Sequence, residues 1–397
     1  MESRGPVILI MIVFIALGLW WGLTKKLDTS PLRNKTLVIF LNRYPQTSLD
    51  VSGAKTWFSR DVSSNIDRMS FNRAHLDITY AGPYVGEIEG TLDKCGPPHT
   101  GHSVIIEYGV NRAYRAGIDP SEYNYFVVLR NADFQNDDCG RNDAGIGMWD
   151  HTLQYEGGVL QGGIGHSTIT WGWDLADAHS PQHPQRSIHE FLHGYGRGTS
   201  HTYLLRCFRD TAKTVPQTYH YIADEEPTTS PFCTRDRGST IDIMGASAVL
   251  EVNSILKKQY RWLTPKQVAT VEGTALIVGK TFTLKPIETA AAPNEIQMIM
   301  IPIPGTRKAY VLELRGRQDT WSGMGVYLYL TPNRENLDGE EQYLLFTGTQ
   351  IASESPAPMS LGDTTIDSKM NLTVTITSVS SAGAVLRVIA PPVVQWK

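Results

Sequence analysis

Two histidines four residues apart, with a glutamate directly after the first, occur at His189, Glu190 and His193. No other feature constrains the chain as much. On a helix, positions i and i+4 lie one above the other on one face. Two imidazoles so placed can reach one metal ion. Glu190, one step round from His189, can reach the open side of that ion. Zinc held by such ligands lowers the pKa of a coordinated water to about 7. A carboxylate beside it can take the proton as general base. Ile188 and Leu192 are also four apart and would anchor the helix to a core. The helix is expected to start at Pro181 or Pro184, both tolerated in a first turn, and to stop at Gly194 or Gly196.

Five residues are a short motif, and an amphipathic helix with surface histidines would show the same pattern. Two further features point to a metal centre. Gly196 follows His193 by three residues and lets the chain turn sharply to bring in a third ligand. Residues 240–245 read Thr-Ile-Asp-Ile-Met-Gly, and a buried Met244 in a tight turn beneath the ligands is the second mark of one zinc-protease class. Taken alone, Met244 reads equally as an ordinary core residue.

The helix, the glycine and the methionine turn resemble metzincin zinc proteases. The chain is similar in particular to the gametolysin family, with echoes of immune-inhibitor-A-type bacterial proteases. The resemblance spans about residues 37–390. It takes in residues 123–150 with Gly145 and Gly147, residues 257–263 (Lys-Lys-Gln-Tyr-Arg-Trp-Leu) and residues 310–315. It implies a Zn2+ cofactor, His189 and His193 as ligands, Glu190 as the catalytic base and Met244 as the turn methionine. The family pattern ends in a histidine at the position of Thr199 here. His201, two residues later, is expected to close the site instead. His220, Asp224 and Glu225 are the alternatives, as is a two-histidine site that holds zinc poorly. The implied activity is endopeptidase cleavage of extracytoplasmic proteins, with a protein or peptide as substrate. The alternatives are a decayed metzincin scaffold serving adhesion or recognition, and a thermolysin-like exopeptidase. Trp171 and Trp173 are candidates for lining a cleft. Tyr195, Tyr219, Tyr221 and Tyr260 are candidates for oxyanion stabilisation.

Composition narrows the rest. With 36 basic and 40 acidic residues the net charge is −4, so no basic surplus points to nucleic acid. The 35 glycines and 22 prolines are dispersed, which excludes a collagen-like or low-complexity chain. Residues 6–23 carry no charge and end near Trp20 and Trp21, as expected of a membrane anchor, with a cleaved signal peptide as the alternative. Lys25, Lys26, Arg33 and Lys35 follow it, and the positive-inside rule would then keep the body in the cytoplasm. The four cysteines argue the other way, since an even number suits disulfides in an oxidising compartment. Cys95 with Cys139 and Cys207 with Cys233 is the expected pairing among the three possible. The body is therefore expected to be extracytoplasmic on a single anchor, or secreted.

Hydrophobic patterning predicts strands at residues 36–41, 75–80, 125–129 and 167–171 and helices over 55–71 and 103–117. This is an α/β pattern. Beyond about residue 265, short strands at 281–284, 297–301, 309–313, 326–330, 372–377 and 384–389 predict a β-sandwich. The expected organisation is an anchor (1–23), a linker (24–36), an α/β catalytic domain of metzincin type (37–265) and a C-terminal β-sandwich (278–397), with the boundary near 265–277.

Overall fold

The structure is a computed structural model. It describes residues 32–42, 49–85, 100–131, 148–149, 152–160, 165–171, 183–195, 201–207, 233–237, 241–245, 249–316, 323–334, 341–345, 358–359, 361–367 and 370–390. The anchor expected at residues 1–23 lies outside them. No helix among the described residues is long and apolar enough to cross a membrane. Leu32–Lys397 is one compact unit, mixed α/β, built mainly of sheets with few helices.

The first sheet has five strands in the order β2-β1-β3-β7-β4. They are β1 (Leu32–Asn42), β2 (Ala74–Val85), β3 (Tyr125–Asn131), β4 (Met148–Trp149) and β7 (Gly165–Trp171). β2, β1, β3 and β7 run parallel, and β4 closes the edge antiparallel to β7. β1 starts inside the expected linker, because residues 32–36 already pair with residues 74–78 of β2.

Residues 37–41 are all apolar because both faces of this sheet are covered. Leu37, Ile39 and Leu41 point to one face with Phe126 and Val128. There they meet Ile105, Ile106, Val110 and Ala113 of a helix over Thr100–Arg115. Val38 and Phe40 point to the other face with Tyr125, Val127 and Leu129. That face packs on helices α1 (Val51–Trp57) and α2 (Ser64–Met69), which a π-helical turn joins, and on the histidine helix. We number the Thr100–Arg115 helix α3 and the histidine helix, His183–His193, α4. A small hairpin, β5 (Leu153–Tyr155) with β6 (Gly158–Leu160), sits beside α3 through Leu153.

The second sheet has seven strands, β10-β12-β13-β14-β15-β8-β9. They are β8 (Thr202–Cys207), β9 (Cys233–Arg237), β10 (Val268–Thr270), β12 (Met298–Pro302), β13 (Ala309–Arg315), β14 (Gly325–Thr331) and β15 (Gln342–Leu345). One face shares a core with a four-stranded sheet of β11 (Lys280–Leu284), β18 (Gly383–Ile389), β17 (Leu372–Ser380) and β16 (Gly362–Asp367). The other face packs on helix α5 (Ser254–Gln259) through Ile255. A short helix α6 spans Thr274–Val278.

The six strands expected beyond residue 265 are all present, but the seven-stranded sheet draws on both sides of the 265–277 boundary. β8 joins β15 in parallel, with Thr202 to Leu205 opposite Gln342 to Leu345. Tyr203 and Leu205 enter the sandwich core, and Leu204 enters the core on the opposite face. β9 follows β8 antiparallel. This pairing covers the edge that β15 would otherwise expose.

Candidate metal centre

Helix α4 has Pro184 in its first turn, and its apolar stripe of Ile188, Phe191 and Leu192 is fully buried against the first sheet. The last described turn ends as expected at Gly194, whose N–H donates to the Phe191 carbonyl at 3.1 Å. Two tyrosines pin that turn. The Tyr125 hydroxyl donates to the Phe191 carbonyl at 2.7 Å, and the Tyr260 hydroxyl donates to the Leu192 carbonyl at 3.2 Å. The Phe191 carbonyl also takes the Gly194 N–H and the Leu192 carbonyl the Tyr195 N–H, so the hydroxyls are second donors that tie the helix end to the sheet and to the chain after α5. Gly165, at the start of β7, allows the close approach. A side chain there would collide with the Gly194 carbonyl and the Tyr125 ring.

His189 is buried, and its Nδ1 lies 2.6 Å from the Ile243 carbonyl oxygen. With Nδ1–H donating, Nε2 is left as the ligating nitrogen. The Nε2 atoms of His189 and His193 are 3.1 Å apart. His201 completes the group: its ring centroid is 4.5 Å from that of His193 and 5.2 Å from that of His189. One nitrogen from each of the three lies within 4.8 Å of the others. Tetrahedral zinc at ~2.0–2.1 Å from nitrogen sets ligand nitrogens about 3.3 Å apart. The three imidazoles are therefore close enough to hold one metal ion together. Glu190 is half-buried on the same helix. Burial pushes the Tyr125 hydroxyl pKa far up, with the charge of Glu190 adding to the effect.

His201 precedes β8, so a strand of the second sheet brings it to His189 and His193. The Thr202 N–H donates to the Met244 carbonyl at 3.0 Å, and the Gln342 N–H of β15 approaches the His201 carbonyl at 3.4 Å. Met244 is fully buried in the same core as Ile188, Phe191 and Leu192. Its turn is held by the Ile243 N–H donating to the Glu251 carbonyl at 2.8 Å.

Sequence reasoning missed the polar groups beneath this turn. Asp242, Thr202 and Asn253 are each fully buried. The Asp242 carboxylate accepts from Met244 N at 2.8 Å, Thr202 Oγ1 at 3.0 Å and Asn253 N at 3.3 Å, and from Asn253 Nδ2. Burial pushes its pKa up to about 6, against the pull of Arg315 and these donors. The one sequence signal was an aspartate two residues before the methionine, a spacing that suits a side-chain-closed turn.

Two of the four tyrosine candidates are corrected. Tyr195 and Tyr260 are buried against Trp262, and the Tyr260 hydroxyl is spent on the helix, so neither faces a substrate. Tyr219 and Tyr221 lie outside the described residues, as do His220, Asp224, Glu225, Thr199, Trp173, Cys95 and Cys139. Trp171 is the last residue of β7, opposite Asn131. Cys233 is disulfide-bonded, and strand register sets it opposite Cys207. No family model and no curated protein matches the chain.

Proposed function

We propose that the protein is a zinc-dependent endopeptidase of metzincin type, similar to the gametolysin family, acting on extracytoplasmic proteins. The observation that carries this reading is the meeting of His201 with His189 and His193. The binding-protein alternative drew on the lack of a histidine at position 199, and a third imidazole from position 201 answers that lack. Zinc would be held by these three residues, and when bound it supplies a Lewis acid and a water acidic near neutral pH. Glu190 takes the proton of the attacking water as its oxygen bonds to the scissile carbonyl carbon. The same carboxyl then hands the proton to the leaving amine as the C–N bond breaks. The Ile243 carbonyl keeps the His189 imidazole in one tautomer through this cycle.

An extended substrate would lie along β4. β4 is the antiparallel edge of the first sheet, and among the described residues it pairs with β7 alone. A peptide can add to such an edge by main-chain hydrogen bonds. Disulfide chemistry at Cys233, with Cys207 as its proposed partner, supports an extracytoplasmic body, anchored by residues 6–23 or secreted.

The test is cleavage of an unfolded protein and of an end-blocked peptide by the full chain and by Glu190→Ala. The wild type should cut internal bonds of both. The variant should retain zinc and lose at least ~10²-fold in rate. Equal cutting by both would remove Glu190 from the mechanism. A folded wild type that takes up no zinc would favour the adhesion or recognition reading.

A further inference from the structure

We propose that Asp242 is a positioning residue for the metal centre, acting on two of its three ligands through the methionine turn. Two carbonyls of the turn face the ligand residues. That of Ile243 faces His189 Nδ1 at 2.6 Å, and that of Met244 accepts the Thr202 N–H, next to His201, at 3.0 Å. Consecutive carbonyls of one turn therefore orient the ring of the first ligand and the backbone beside the third. The direction of both depends on what fixes the turn.

Asp242 fixes it from inside. One carboxylate oxygen, Oδ1, accepts the Met244 N–H at 2.8 Å, closing a side-chain turn two residues long. The other, Oδ2, accepts from Thr202 Oγ1 at 3.0 Å and from Asn253. Asn253 Nδ2 also reaches Thr202 Oγ1 at 3.1 Å. Thr202 is thereby held at its backbone by the turn and at its side chain by Asp242. Asn253 is in turn set by the second sheet. Its Oδ1 caps α5 at Leu256 N, 2.9 Å away, and the adjacent Ser254 N–H donates to Glu313 Oε2 of β13 at 2.6 Å. Glu313 accepts on its other oxygen from Arg315 Nε at 2.7 Å and the Tyr329 hydroxyl at 2.9 Å. A continuous buried path of hydrogen bonds thus runs from β13 and β14 to the residue after His201. The methionine turn is thereby tied to the second sheet beside the three histidines. Burying so many polar groups is costly unless each finds partners, and Asp242 is the group most of them share.

The proposal rests on zinc binding to the three histidines, and its test separates the two ideas. Zinc affinity of the full-length protein is measured by chelator competition, and ligand geometry by the visible absorption of the Co2+-substituted form. The variants are Asp242→Asn, Thr202→Val and Thr202→Ser. Asp242→Asn and Thr202→Val should each weaken zinc binding ~10–100-fold, the range seen when groups that orient metal ligands are lost, and should change the Co2+ spectrum. Combining them should cost less than the two effects added. Thr202→Ser keeps the hydroxyl and should restore wild-type binding. Asp367→Asn, which disturbs a carboxylate bonded to Tyr310 in the sandwich core, controls for general loss of stability and should leave the spectrum unchanged. If Asp242→Asn does not fold, Thr202→Val decides. Wild-type affinity and spectrum in a folded Thr202→Val protein would overturn the proposal while leaving the zinc reading intact. A wild type that binds neither metal would overturn both.

Discussion

Replacing Lys257 by methionine should destabilise the protein by about 3 kcal/mol although Lys257 touches none of the metal ligands. Lys257 is fully buried, and its Nζ lies 3.0 Å from Glu251 Oε1, 2.6 Å from the Ile287 carbonyl oxygen and 4.1 Å from the centre of the Phe71 ring. Burial lowers its pKa, and the Glu251 carboxylate works against that shift. The Glu251 side chain is 3% exposed, so its charge has little water to turn to. Removing one partner of a buried pair costs about 3–5 kcal/mol, because the other charge is left behind. Here Arg68 Nη1, 3.4 Å from Glu251 Oε2 and 37% exposed, offsets part of that, which places the expectation at the low end. The double variant Glu251→Leu with Lys257→Met removes both charges. It still strands the Val252 N–H and the Ile287 carbonyl at about 1 kcal/mol each, so it should be milder than the single change. Urea unfolding followed by tryptophan fluorescence, with zinc equal and saturating, measures both, since bound metal itself shifts stability. A single variant within about 1 kcal/mol of wild type, or a double variant worse than the single, would refute the reasoning. The consequence reaches the site because the Glu251 carbonyl holds the Ile243 N–H at 2.8 Å.

Two more outcomes are expected. Asp242 has a folded pKa of about 6 against 3.8 when free, so the folded state holds an extra proton between those values. Its contribution is complete below pH 3.8 and is lost as pH rises to about 6, a change of about 3 kcal/mol. In metal-free protein the urea midpoint of wild type relative to Asp242→Asn should therefore fall between pH 4 and 6 and stay level above, and parallel curves would contradict this. Tyr125→Phe and Tyr260→Phe each remove the second donor from a carbonyl at the end of α4 that keeps its backbone N–H, and should each cost about 1 kcal/mol. Thermal unfolding of the two single variants checks this, and no change in either would mean that water replaces the hydroxyl.

Much of the first sheet was legible because its signals are local. The all-apolar, β-branched-rich residues 37–41 and 125–129 read as buried strands, and the alternation of Leu37, Ile39 and Leu41 against Val38 and Phe40 divides them between the two cores. The spacing of Ile188 and Leu192 implied the buried stripe that turns His189 and His193 the same way. β15 and β16 were missed because four- and six-residue strands flanked by long polar stretches carry little periodicity. β8 was missed for a different reason. Thr202 to Leu205 finds its partner in Gln342 to Leu345, some 140 residues away, and no local pattern encodes a parallel pairing over that distance.

The chemistry of the candidate centre was written in short-range order: a helix that stacks two imidazoles, a glutamate one step round, and a methionine after an aspartate. Those relations need only the helix repeat and the geometry of a turn. The union of these parts belongs to the tertiary structure. His201, His220, Asp224 and Glu225 were all candidates to join His189 and His193, and it is β8, paired with β15, that places His201 beside them. Spacing along a chain specifies contacts within one element. Contacts between elements are specified by which faces and edges are left to bury, and that is settled only when the sheets close on each other.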